Sequence, residues 1–129
     1  MNDALLNISS SLTIYQNNIR SLKKKFHAVE EIFQNCTEMP DILAFSETQL
    51  HENSEIPHLE GYSFEHINSE TKCGGVGMFI SNNMDYSIRN DLSLNTTGCE
   101  DLWVEIDFKK SQRDSSDIVV SDNLVIGNI

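Results

Sequence analysis

The chain has 129 residues, enough for one domain with a buried core and too few for two ordinary ones. Its 39% hydrophobic content, with six Phe, three Tyr and one Trp, excludes wholesale disorder. A net charge of -11, from 9 Lys plus Arg against 20 Asp plus Glu, excludes broad salt-driven adhesion to nucleic-acid backbones, though not a local carboxylate site for a divalent cation.

Residues 1–11 read as a lead-in, without the basic and continuous apolar regions of a secretory leader. "SLTIYQ" (11–16) alternates as a strand that ends at Asn17-Asn18. A helix follows, because Ile19, Leu22, Phe26, Val29, Ile32 and Phe33 recur at three- and four-residue steps; Asn18 suits its N-cap and "NCTEMP" with Pro40 stops it. The basic cluster "RSLKKK" (Arg20–Lys25) and His27 fall largely off that stripe and read as a solvated helix face.

"DILAFSE" (41–47) is a short, nearly continuous apolar run, as a central strand beside the first would be. Strand, helix, strand makes a βαβ unit. The run ends on Glu47, and burying an ionised carboxylate without a partner costs several kcal/mol, roughly, so a partner such as a metal ion is called for. "HENSEIPHLEGY" (51–62) is a polar loop long enough to line a site.

The rest reads as β: "YSFEHI", "GGVGMFIS", "DYSIRN", "DLWVEIDF" and "NLVIGNI" are short alternating or apolar runs split by turn residues. "GGVG" (74–77) lacks the Lys-Ser/Thr of a phosphate loop and signals close packing or a bulge; Trp103 reads as a packing aromatic. "KKSQRDSSD" (109–117) suits a hairpin loop between the last two strands. Cys36, Cys73 and Cys99 form no CxxC pair, and His51, His58 and His66 follow no metal-ligand pattern, so neither a disulfide scaffold nor a zinc site is indicated. No run of ~18 apolar residues could span a bilayer, and an intracellular, nuclear or cytoplasmic protein is expected.

Asn18 and Glu47 close the first and second strands of the βαβ unit, side by side at the edge where α/β sheets keep their sites. An amide and a carboxylate there can orient an oxygen ligand and hold a hard cation such as Mg²⁺.

At these residues the sequence resembles a family. "NNIRSLKKKFHAVEEIFQN", "PDILAFSETQL", "GYSFEHINSETKCGGVGMFISNN" and "LWVEI" are similar, in order and spacing, to the endonuclease/exonuclease/phosphatase superfamily. Within it they most resemble the apurinic-endonuclease-like domain of reverse-transcriptase polyproteins from non-LTR (LINE-type) retrotransposons. The likeness covers residues 12–129 and implies an α/β fold, the N-terminal part of a four-layered sandwich of two mixed sheets flanked by helices.

The implied chemistry is Mg²⁺- or Mn²⁺-dependent nicking of target DNA, which frees a 3′ hydroxyl to prime reverse transcription. By motif, Glu47 resembles the metal-binding Glu and Asn18 the active-site Asn that orients metal and phosphate; Asn17 matches less well. The family's Tyr, Asp-x-Asn and Asp-His segments are not in this sequence, which stops at "NLVIGNI" where the Tyr is expected. The expectation is therefore a partial domain, with little activity and weak or absent metal binding by itself. The alternative is a decayed or repurposed half-domain that binds partners, or itself, through an uncovered sheet edge.

Overall fold

In a computed structural model, which describes residues 12–108 and 123–129, the βαβ start is present. Strand β1 (Ile14–Asn18) runs parallel to β2 (Ile42–Ser46), and helix α1 (Leu22–Gln34) crosses between them. Strands β3 (Tyr62–Ile67) and β4 (Val76–Ser81) complete a mixed four-stranded sheet in the order β1-β2-β4-β3, with β4 antiparallel to both neighbours. A second, antiparallel sheet is built from β5 (Tyr86–Ile88), β6 (Leu102–Asp107) and β7 (Asn123–Asn128) in chain order. A 3₁₀ turn at Asn90–Leu92 follows β5.

The two-sheet α/β sandwich expected from the sequence is thus what the chain forms, with one sheet mixed and the other antiparallel. Among the described residues it has three layers: helix, mixed sheet, antiparallel sheet. Residues 1–11 and the "KKSQRDSSD" segment lie outside the described residues.

Alternation along the strands builds both interfaces. Leu43 and Phe45 of β2 and Phe79 of β4 face α1, where they meet Leu22, Val29 and Phe33 with Ile19, Leu50 and Leu59. The intervening residues Ile42, Ala44, Val76, Met78 and Ile80 face the second sheet and meet Leu102, Val104 and Ile106 of β6. Burying a side chain of this size contributes about 1.5–3 kcal/mol, so this two-sided filling of β2 and β4 is the main source of stability.

Three local expectations are corrected. The first strand begins at Ile14, not at residue 11. The helix N-cap is Ser21 and not Asn18: the Ser21 hydroxyl accepts from the Lys24 N–H at 3.3 Å, while Asn18 is still in β1. The physical reason is the pairing with β2, which holds the chain extended through Asn18 opposite Ser46. Ile32 points outward, 56% exposed, because the buried stripe is Leu22, Val29 and Phe33 with Phe26 beside it.

Candidate functional site

Parallel pairing in register brings the ends of β1 and β2 together, and Asn18 lies opposite Ser46, the residue before Glu47. The Asn18 side-chain amide donates to Glu47 Oε2 at 2.7 Å. The carboxylate at the end of the apolar run therefore has a partner from the neighbouring strand. Asn17 alternates to the helix side, where its amide donates to the Tyr15 hydroxyl at 2.8 Å.

The backbone that presents Glu47 is unusual. Glu47 and Gln49 both adopt left-handed φ angles, 54° and 58°, and across the β1–α1 corner Arg20 and Ser21 do the same at 49° and 86°. Each such residue costs on the order of 1 kcal/mol or more and persists only where its surroundings fix it. Here the fixing bonds run to both sides. Ser21 N–H donates to the Glu47 carbonyl at 2.8 Å and Leu22 N–H to that of Thr48 at 3.0 Å, while Thr48 and Gln49 donate to the Gly75 and Gly74 carbonyls at 3.1 and 2.8 Å. The segment after β2 is clamped between the start of α1 and the glycine turn before β4.

Asn18 and Glu47 open onto a cleft of about 310 Å³, whose far wall is Gly74, Gly75, Cys99, Glu100 and Ile129. Glu100 is a site residue that the sequence reading did not single out, since nothing in "CEDLW" separates it from its acidic neighbours. Its Oε1 accepts from Gly75 N–H at 2.7 Å. A second cavity of about 470 Å³ adjoins, shares Cys99 and Glu100, and is lined by Asn90, Asn95, Thr96 and Thr97.

Beneath the cleft the two sheets are tied by one buried side chain: Asn128, near the end of β7, donates to the carbonyls of Phe45 and Gly77 at 3.0 and 3.1 Å.

The donor set decides which cation suits the cleft. Among the described residues no group of three or more His, Cys, Asp or Glu is placed to hold an ion. His51 and His58 are exposed, and His66 stacks on Phe64 with ring centroids 5.2 Å apart. The described residues thus place no closed zinc cage at the cleft. Mg²⁺ takes one or two carboxylates and keeps several waters or substrate oxygens, and Glu47, with the Asn18 amide beside it, fits that pattern.

Away from the cleft, the Tyr86 hydroxyl is pushed up to about 12 by burial and by its bond to Glu65. Asp101 is held below the usual carboxylate range by the Leu94 N–H, the Trp103 indole and the Ser93 hydroxyl. Glu105 is lowered in the same way by Asn123 and Arg89.

No protein-family model matches the sequence, and no curated protein does. Solved structures match at the level of shape. The AP endonuclease LMAP from Leishmania major superposes with a TM-score of 0.67 at 16% identity, over 99% of this chain and 42% of that one. The 3′ phosphatase NExo from Neisseria, bound to product DNA hairpin, gives 0.57 at 16% identity over 74% of this chain and 38% of that one. The 3′-5′ exonuclease NExo from Neisseria meningitidis gives 0.55 at 16% identity over 72% and 37%. The chain spans less than half the length of each, and within that span it has the two-sheet α/β fold of these nucleases and phosphatases.

Proposed function

We propose that this chain is the metal-holding part of a divalent-cation-dependent phosphodiesterase of the endonuclease/exonuclease/phosphatase superfamily, with DNA as its substrate. The observation that carries the reading is the Asn18–Glu47 bond at the joined ends of β1 and β2, presented by a left-handed residue that folding alone would not select. Glu47 would hold Mg²⁺ or Mn²⁺, and Asn18 would fix the carboxylate's rotamer and lend its amide to a phosphate oxygen. The cation, when bound, supplies charge stabilisation to the phosphoryl oxygens.

The rest is the chain's own work. Arg20, Lys23, Lys24 and Lys25 are exposed at the start of α1, a turn that holds no acidic residue. Cations there oppose the helix dipole, a small destabilisation that makes sense where an anion docks. A DNA strand that lies along this end of α1 would bring a phosphate to Asn18 and Glu47.

The finer reading follows the sequence resemblance: a retrotransposon-type endonuclease that nicks target DNA, in an intracellular, nuclear or cytoplasmic setting. Because the chain spans 42% of the Leishmania enzyme, the activity is proposed for a domain in which Tyr, Asp-x-Asn and Asp-His segments complete the cleft. These 129 residues alone are proposed to bind the cation weakly and to be nearly inactive. A supercoiled-plasmid nicking assay with Mg²⁺ tests this on three proteins: the chain, the chain joined to such segments, and that joined protein with Glu47→Ala. Nicking by the joined protein that Glu47→Ala abolishes is the expected result; equal nicking with and without Glu47 would refute the reading.

A second reading has one observation in its favour. Leu124 and Val125 of the edge strand β7 are 39% and 40% exposed, which suits a repurposed module that associates through that edge. A single monomer boundary in sedimentation velocity at high concentration would exclude it.

A further inference from the structure

We infer that Glu100 is a positioning residue for the Glu47 site, acting through the backbone of the Gly74–Gly75 turn. The inference rests on the metal-holding role proposed for Glu47, but its first consequence, the order of the turn, can be measured without any metal.

Both carboxylate oxygens of Glu100 are committed to backbone. Oε1 accepts from Gly75 N–H at 2.7 Å and Oε2 from Glu70 N–H at 3.3 Å. The approach is so close that a Cβ on Gly74 would collide with Oε1. One on Gly75, at φ +95°, would meet Thr48 Oγ1 at 2.5 Å. The glycine pair is thus required by what packs on it from two sides.

The N–H of Gly75 and the carbonyl of Gly74 belong to one peptide group. Glu100 accepts from one end of it, and the other end accepts from Gln49 N–H at 2.8 Å. A charged acceptor polarises that peptide and strengthens the bond at its far end. The next carbonyl, of Gly75, accepts from Thr48 N–H at 3.1 Å. These two bonds are the C-terminal anchor of left-handed Glu47. Thr48 is fully buried and its hydroxyl has no partner among the described residues, so its side chain adds no polar hold there. The anchor is the turn, and Glu100 fixes the turn.

The test compares wild type, Glu100→Ala and Glu100→Gln, with Glu47→Ala as the site control. Amide hydrogen exchange is read at Thr48, Gln49 and Gly75, with Val104 in β6 as a distant reference. Binding of Mn²⁺ is read by water-proton relaxation. In Glu100→Ala, exchange at the three amides is expected to rise roughly 10-fold with Val104 unchanged, the size of one lost charge-assisted bond. Affinity for Mn²⁺ is expected to fall about 10-fold, as for other residues that support a metal ligand. Glu100→Gln keeps a neutral acceptor oxygen and is expected to restore part of the protection and of the affinity together.

Two outcomes overturn the inference. Exchange that rises equally at Val104 would make Glu100 a general stability residue. A Gln variant with protected amides but Mn²⁺ binding as weak as the Ala variant would make it a charge in the metal field. If wild type binds no Mn²⁺ and Glu47→Ala changes nothing, the metal reading fails by itself. The exchange pattern then decides alone whether Glu100 holds the turn.

Discussion

The two faces of the mixed sheet are filled in different ways. Toward α1 the core is rich in rings: Phe33, Phe45 and Phe79 are buried among Leu, Ile and Val, with Tyr15, Phe26, Tyr62 and Phe64 packed around them. Rings meet edge to face or tilted, with centroids 5.2 Å apart for Tyr15–Phe33, 6.2 Å for Phe45–Phe79 and 4.4 Å for Phe64–Phe79. Toward the second sheet the fully buried residues are Ile, Leu, Val, Met and Ala, and the rings Tyr86 and Phe108 pack only at the margin. A cylinder on a twisted sheet leaves wedges that large planar side chains help to fill. Two sheets about 10 Å apart leave an even slot that suits medium aliphatic ones. One apolar run, "ILAF" in β2, serves both spaces by alternation.

That contrast can be broken at several points. The largest expected effect is Phe79→Ala, about 4 kcal/mol of stability in denaturant unfolding, because Phe79 touches three other rings. Phe79→Leu should recover only part of it, whereas Ile80→Leu, one residue on and facing the other slot, should cost less than about 1.5 kcal/mol. Equal costs at 79 and 80 would erase the distinction between the faces.

Next is Asn128→Ala. It removes the buried amide that bonds to the Phe45 and Gly77 carbonyls, and about 2 kcal/mol should be lost in the same measurement. Ser21→Ala removes the cap of α1 and should cost about 1 kcal/mol, with the helical circular dichroism signal fraying first. Hydrogen exchange should locate that fraying on the aromatic face.

The smallest effect is one of pH. Tyr86, at the margin of the aliphatic face, has its hydroxyl raised from 10.0 to about 12, so its folded form favours the proton. The stability it contributes is complete below pH 10 and is lost as pH rises through about 12. Tyr86→Phe should flatten that part of the stability curve. Tyr62, on the aromatic face, is raised by burial and by Asp41 and should retain its own share of the decline.

What the sequence made legible follows from how local each cause is. Periodicity located α1, and β3 and β6 within a residue, because alternation and helical spacing are properties of the segments themselves. The start of β1 and the cap of α1 were misplaced. Asn18 and Ser21 are both good caps, and the choice between them is made by pairing with a strand that begins at Ile42. Glu47 stood out as a lone charge closing an apolar run, and Asn18 as its counterpart one strand away. Glu100 did not, since its partner is the amide of Gly75, 25 residues back across a turn, and no spacing announces such a contact. Asn128 was hidden for the same reason: its bonds go to residues 83 and 51 positions away.

The left-handed Glu47 and Gln49 bear on how variants of this protein would be selected. Glycine or asparagine accepts such φ angles with less strain, so a library sorted only for folding yield should drift to Gly or Asn at both positions, with gains near 1 kcal/mol each. A library sorted for cation binding should hold Glu at 47 and let only 49 drift. The divergence between the two pools at a single codon would separate what the chain needs to fold from what it carries for chemistry.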